Sequence, residues 1–319
     1  MRSVLVTGAT TPIGEALVRR LLANKRVKHI LAVAAEPKGR TAFRNAPARL
    51  TYFPLDLTRQ RNVRELLFGP ARDLGVDAVV HTAQHRRATE DGPRVHALNV
   101  DAARDLLLLC EEHPTIRRFV FRSYAEVYSV KAEVPVLIQE DHPLEMSPAA
   151  PQWIRDRVEA DLTVCARMGL VPLQIVVLRA AECFACDVGS QLLDYLGSRV
   201  CFRPLGFDPM LNLISVEDLV KGLARALATP AQGVFNLPGA DTLPLSKAIE
   251  LAGRRAIPAP GMLLEPLYAL RARAIGTDFR YDVNRWRFHA SGVLDGRRAR
   301  TELGYVPEHP IDWSRVPRM

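Results

Sequence analysis

The chain has 319 residues, 48% of them hydrophobic and 24% charged. Those proportions exclude a disordered, collagen-like or disulfide-scaffold chain and fit one large domain or two coupled ones. The formal charge is +8, and with only six Lys the basic residues are almost all Arg. Arg forks suit phosphates and carboxylates, though an Arg-rich solvated surface accounts for the same charge.

The five cysteines (Cys110, Cys165, Cys183, Cys186 and Cys201) are odd in number and lack small-domain spacing, which predicts reduced thiols and a cytoplasmic setting. The first ten residues lack the charged-then-apolar pattern of a secretion signal. The apolar run at 106–110 is far too short to span a bilayer.

Along the chain, Ser3–Val6 reads as a strand that ends in Thr7-Gly8, and a helical pattern follows at Ile13, Leu17 and Leu21. Strands are expected at Ile30–Ala35, Leu50–Leu57, Asp77–Thr82, Arg118–Ser123 and Gln174–Arg179. Helices are expected at 60–68, 93–112 and 152–168, the last with Ile154, Val158, Leu162 and Cys165 on one stripe. Continuous β-rich runs alternating with amphipathic helices predict an α/β fold: a Rossmann-like, doubly wound parallel sheet. The regularity fades near residue 180. The expected division is therefore 1–180 as the dinucleotide-binding domain and 181–319 as a small C-terminal α/β substrate-type subdomain. Helix 215–228 and strand 234–237 are expected to return to the first domain.

The segment Thr7-Gly8-Ala9-Thr10-Thr11-Pro12-Ile13-Gly14 places a glycine turn between strand one and helix one. There, backbone N–H groups and the helix dipole face an anion, so the segment is a candidate pyrophosphate site. Further motifs follow in order: Asp56-Leu57, His81-Thr82-Ala83, Asn99-Val100, Ser123 to Ser129, Leu178-Arg179-Ala180, Val216-Glu217-Asp218 and Leu303-Gly304-Tyr305-Val306-Pro307.

In that order and spacing the chain resembles the extended short-chain dehydrogenase/reductase family, the group of nucleotide-sugar epimerases and dehydratases. The resemblance implies a glycine loop held by Gly8 and Gly14, an adenine contact at Asp56 and Leu57, and cofactor contacts at Thr82, Ala83, Gln84 and Asn99. It also implies a homodimer whose seam is formed by helices 93–112 and 152–168, and a nucleotide or nucleotide-sugar ligand.

The departures are equally specific. Thr11 stands where the family has its middle glycine, so a β-branched side chain faces the phosphates unless it turns away, and Pro12 has no N–H to donate. No acid ends strand two in register. Glu36 reaches a ribose only across a longer turn, while Lys38 or Arg40 suits a 2′-phosphate, so NAD, NADP and no cofactor all stay open. The family's Tyr-x-x-x-Lys pair falls on Trp153 and Arg157, and its catalytic Ser falls on Tyr124, behind Ser123. Trp has no proton to exchange near neutral pH, and Arg stays charged. Of the usual relay corners only Asn99 is kept.

The expected function is a catalytically degenerate member acting as sensor, scaffold or partner-binding protein. One alternative is an active NAD(P)-dependent oxidoreductase or epimerase with Tyr124 as the acid. Another is an interaction protein with no bound nucleotide. Arg157 either holds a ribose or phosphate, or pairs with Asp161 or Glu159 on its own helix. The lone Cys183/Cys186 pair and the scattered His residues predict no metal site. The Arg-rich stretch 271–300 suits a ligand phosphate, a protein partner, RNA or an anionic membrane, or is a solvated face.

Overall fold

The computed structural model describes residues 2–45, 47–131 and 134–316. Seven strands form the main sheet: β1 (Arg2–Thr7), β2 (Val27–Ala34), β3 (Leu50–Pro54), β4 (Ala78–His81), β5 (Arg118–Tyr124), β6 (Gln174–Ala180) and β7 (Gly233–Leu237). Their order is β7-β6-β5-β4-β1-β2-β3, and every pair is parallel.

The alternation along β1 shows why the sheet must lie between two helical layers. Val4 and Val6 enter the core on one face and Leu5 enters it on the other. A strand that is apolar on both faces needs cover on both. Helices α1 (Pro12–Ala23) and α5 (Val216–Ala228) supply one layer through Ile13, Leu17, Leu219 and Leu223. Helices α2 (Gln60–Leu66), α3 (Ala102–Glu111) and α4 (Gln152–Cys165) supply the other through Val63, Leu106 and Val164. Winding proceeds from β1 to β3 in one direction and from β4 to β7 in the other. The two halves part between β1 and β4, and the crevice at those strand ends is where this architecture places its site.

Several elements differ from their sequence expectations for local reasons. The helix expected over 93–112 contains a π turn at Ala97–Asp101. The helix expected over 60–68 runs on through a second π turn, Leu67–Ala71, around Pro70, which has no N–H for the helical ladder. The strand expected over Leu50–Leu57 stops at Pro54. In α4 the expected stripe breaks: Leu162 is 37% exposed, and Asp156, Arg157 and Asp161 take inward positions. On α3, only Leu108 of the four consecutive leucines faces out.

Outside the main sheet the chain builds three small sheets, mostly from residues after β6. Glu182–Cys183, Met210–Ile214 and Asp241–Pro244 form one, Val200–Pro204 pairs with Arg255–Ala259, and Leu137–Ile138 pairs with Val293–Leu294. A separate core fills this region, with Tyr195, Tyr268, Phe279 and Phe288 packed ring on ring. Edge-to-face and tilted rings of this kind add to the area they bury.

The entry to α1 is the tightest joint in the main sheet. A Cβ on Gly14 would sit 2.1 Å from the Gly8 carbonyl oxygen, whereas one on Gly39 would meet nothing within 4 Å. Gly14→Ala is therefore expected to lower unfolding stability by about 3 kcal/mol or to prevent folding, by forced displacement of packed backbone. Gly39→Ala should leave it within about 0.5 kcal/mol. Urea denaturation of both variants checks the contrast.

Candidate functional site

The crevice at the β1/β4 switch is a cleft of about 730 Å³. One wall is the turn after β1. Gly8 adopts φ +64°, and a Cβ there would meet the Ala83 Cα at 2.8 Å, so the two strand ends touch only because this residue is glycine. Thr11 does not project at the phosphates as a β-branched intruder. It caps α1: its hydroxyl accepts from the Gly14 N–H at 3.0 Å and donates to the Gly8 carbonyl at 2.8 Å. The cap has a consequence for anion binding. Pro12 has no N–H, and the Gly14 N–H is taken by Thr11, which leaves Ile13 as the amide donor of the first turn.

Glu36 lies two residues past the end of β2, and its carboxylate accepts a hydrogen bond from the Thr10 hydroxyl at 2.8 Å. The longer turn thus brings the acid to the cleft, while Lys38 and Arg40 stay exposed outside its lining. Asp56 and Leu57 form the opposite wall. Hydrogen bonds from Thr58, with nearby Arg59 and Arg94, hold the Asp56 carboxyl below its ordinary range. Ala83 and Gln84 complete the lining, whereas Thr82, Asn99 and Arg157 do not reach it. Pro12, Ile13 and Gly14 stand behind it as the start of α1.

The floor is a buried polar knot. The Thr7 hydroxyl is hydrogen-bonded to His81 Nδ1 at 2.9 Å and accepts from the Thr82 N–H at 3.2 Å, while the Thr82 hydroxyl donates to the Thr7 carbonyl at 2.7 Å. His81 stacks beside Phe121 and Phe119, and burial pushes its pKa down to about 4.

At the relay positions Arg157 pairs with neither of the acids that its own helix offered. Arg157 is 6% exposed, and its guanidinium carbon lies 3.8 Å from the ring centres of both Trp153 and Tyr124. It pairs with neither Asp161 nor Glu159, but donates to Glu126 in the short turn after β5. The other Glu126 oxygen accepts from Arg287 at 3.1 Å, and Arg287 also pairs with Glu182. Glu182 in turn accepts from the Ser190 hydroxyl at 2.8 Å and the Leu192 N–H at 2.7 Å. The result is a buried alternating chain, Arg157–Glu126–Arg287–Glu182, with no net charge.

Asp161 is committed elsewhere. It takes a bidentate pair from Arg179 at 3.0 and 2.6 Å and a 2.5 Å hydrogen bond from the Ser123 hydroxyl. Ser123, the serine kept by the sequence, therefore points into an ion pair. Asn99 accepts from the His85 N–H at 2.8 Å and donates to Asp156 at 3.4 Å. Asp156 is also hydrogen-bonded to His96 and Gln152. The Tyr124 ring lies between Arg157 and Arg122, the latter 4.6 Å away.

Sequence reading missed Glu126, Glu182 and Arg287 as a set. The available signal was Glu126 itself, the one charged residue in the motif Ser123 to Ser129. It also missed Arg86, Arg87 and Arg94, which line the cleft mouth. The loop carrying Arg86 and Arg87 is fastened to the C-terminal region. Arg86 donates to the Asp187 carbonyl at 2.8 Å, Arg87 pairs with Asp278, and Arg280 donates to the Ala88 carbonyl at 2.9 Å.

The Arg-rich stretch 271–300 is divided between arginines paired within the fold and exposed ones, Arg273, Arg285 and Arg300 among the latter. Arg271 binds the Asp194 and Tyr195 carbonyls, Arg280 pairs with Asp282, Arg287 joins the buried chain, Arg297 pairs with Asp295 and Arg298 with Glu302. Five of its arginines thus fasten the C-terminal region, through buried and surface pairs. Cys183 is buried and Cys186 exposed, both as free thiols, and no metal-binding cluster occurs among the described residues. No helix among them is long and apolar enough to cross a membrane.

Comparison with known proteins agrees with this architecture. The family model described as NAD dependent epimerase/dehydratase family matches residues 4–154. An uncharacterized protein of Mycobacterium tuberculosis is 30% identical over 98% of this chain and 81% of its own length. A UDP-glucuronic acid 4-epimerase from Bacillus cereus, solved with UDP-glucuronic acid and NAD, has a TM-score of 0.71 at 17% identity, covering 98% of this chain and 96% of that one. DesIV, a dTDP-glucose 4,6-dehydratase from Streptomyces venezuelae, gives 0.70 at 20% identity over 97% and 92%. At such identities the two structures establish the shared fold.

The buried His81 makes stability depend on pH. Its folded pKa, about 4, lies below the unfolded value of 6.5, so the unfolded chain binds the proton first. The contribution is complete above pH 6.5 and is lost as pH falls toward 4, on the order of 3 kcal/mol over the whole window. His81→Asn should flatten that slope in denaturation measured from pH 7 to 4. His29, His85, His113 and His289 are shifted in the same direction and leave a shallower residual slope.

Proposed function

The chain belongs to the NAD dependent epimerase/dehydratase family of extended short-chain dehydrogenases/reductases, and from that premise we propose that it is a catalytically degenerate member. It keeps a nucleotide cleft and acts as a sensor or scaffold, without hydride transfer of its own. The observation that carries this reading is the placement of Arg157, stacked between Trp153 and Tyr124 and paired to Glu126.

General acid–base chemistry needs a group that exchanges a proton near the working pH and can reach the substrate. The indole of Trp153 has no such proton, and the Arg157 guanidinium stays charged. Nor is Arg157 free to serve as a ribose clamp. Withdrawing it from Glu126 would break a buried ion pair and leave that carboxylate to Arg287 alone, which opposes the release. The cleft meanwhile keeps Glu36, Asp56 and the Gly8 turn, the features that hold an adenosine.

One observation favours a second reading. Tyr124 ends β5 at the relay's serine position with guanidiniums on both sides of its ring, and there it would serve as the acid. Isotope exchange at the nicotinamide C4 position, with NAD⁺ or NADP⁺ and a panel of nucleotide sugars and ketones, separates the two. We expect no exchange above a heat-killed control. Exchange that disappears in Tyr124→Phe, with cofactor affinity unchanged, would overturn the degenerate reading and establish the second.

A further inference from the structure

The cleft and the relay region differ in one physical respect: one is open and the other is filled. The open part runs from Glu36 and Asp56 past the glycine turn and ends at Ala83, Gln84 and Leu98. Beyond it, at the ends of β5 and β6, a dinucleotide would lay its second ribose and its nicotinamide. The side chains there are packed against one another: Ser123 is 1% exposed, Ala181 3%, Trp153 5% and Arg157 6%. Opening this half would require pulling Arg157 and Arg287 from Glu126 and separating the Trp153–Arg157–Tyr124 stack. The open end of the cleft suits an adenosine, whereas the relay side chains beyond it are packed against one another, and a separate cavity of about 1070 Å³ opens past Glu126 and Ile154.

The anion-holding groups have shifted as well. With Pro12 lacking an N–H and the Gly14 N–H capped by Thr11, the helix start offers less to a diphosphate than a three-glycine loop does. The loop and helix after β4 bring guanidiniums to the same cleft. Arg86 is exposed and held by a single carbonyl, and Arg94 is exposed and near enough to Asp56 to help hold that carboxyl below its ordinary range. Planar guanidinium forks recognise phosphate oxygens in pairs.

We infer that the cleft binds an adenosine 5′-phosphate that ends at its phosphates, of the ADP class, in preference to a dinucleotide. Glu36 takes the ribose hydroxyls, and Arg86 and Arg94 take the terminal phosphate. The inference rests on the reading of the protein as a non-catalytic nucleotide binder.

Calorimetric titration of the full chain with ADP, adenosine, NAD⁺ and NADH tests it. ADP should bind at least tenfold tighter than NAD⁺ or NADH, whose second half would meet the packed relay side chains. Arg94→Ala should weaken ADP at least fivefold while leaving adenosine unchanged, since adenosine has no phosphate to lose. NAD⁺ or NADH binding as tightly as ADP would overturn the inference, and so would the absence of ADP binding at millimolar concentration. An unchanged ADP affinity in Arg94→Ala would overturn the assignment of the phosphate to this arginine. The two claims fail separately: hydride exchange would sink the non-catalytic reading whatever ADP does. Equal affinities for ADP and NAD⁺ without exchange would sink only the choice of nucleotide.

Discussion

The ion chain Arg157–Glu126–Arg287–Glu182 is the constraint on which the site depends. Four charges lie out of water within one run of contacts, alternating in sign and summing to zero. Removing Glu126 would leave Arg157 charged, buried and without an acid, whereas removing Arg157 would leave Glu126 to Arg287 alone. Its members come from four separate elements: α4, the turn after β5, the helix Tyr281–His289 and the strand Glu182–Cys183. The chain therefore clamps the C-terminal region over the ends of the main sheet. It does so at the point where an enzyme of this architecture would keep its proton relay free to move.

The second buried pair strengthens the same conclusion. Arg179 and Asp161 lock β6 to α4, and the Ser123 hydroxyl is drawn into that lock. A serine that donates to a buried, arginine-paired carboxylate is oriented away from any substrate carbonyl. The cleft on the other side of the Gly8 turn carries no such commitments, and Glu36 needs to release only a threonine hydroxyl to meet a ligand. One sheet thus carries an open cleft at the ends of β1 and β4 and packed side chains at the ends of β5 and β6.

Much of this was legible in the sequence because it is local. Apolar runs such as Ser3–Val6, alternating along the chain with amphipathic helices such as the one through Ile13, Leu17 and Leu21, predicted a doubly wound parallel sheet. The placing of Trp153 and Arg157 at the family's Tyr-x-x-x-Lys positions came from the resemblance to that family. The partner of Arg157 was not, because Glu126 lies 31 residues away on another element. A helix-local rule offered Asp161 or Glu159 instead. Arg287 lies 161 residues from Glu126, inside a stretch whose composition suggested an open basic face. Thr11 read as an obstruction because its rotamer could not be seen, and a threonine hydroxyl at a helix start is a ready cap. Burial of charge depends on how distant elements meet, and composition does not record that.

The most direct test of the account is a double-mutant cycle on the pair at its centre, Arg157→Met and Glu126→Gln, read by urea denaturation. The account predicts that each single change destabilises strongly and that the double variant recovers part of the loss, with a coupling of at least about 1.5 kcal/mol. Effects that add to within about 0.5 kcal/mol would contradict it, because Arg157 would then be free of Glu126 and available to a substrate.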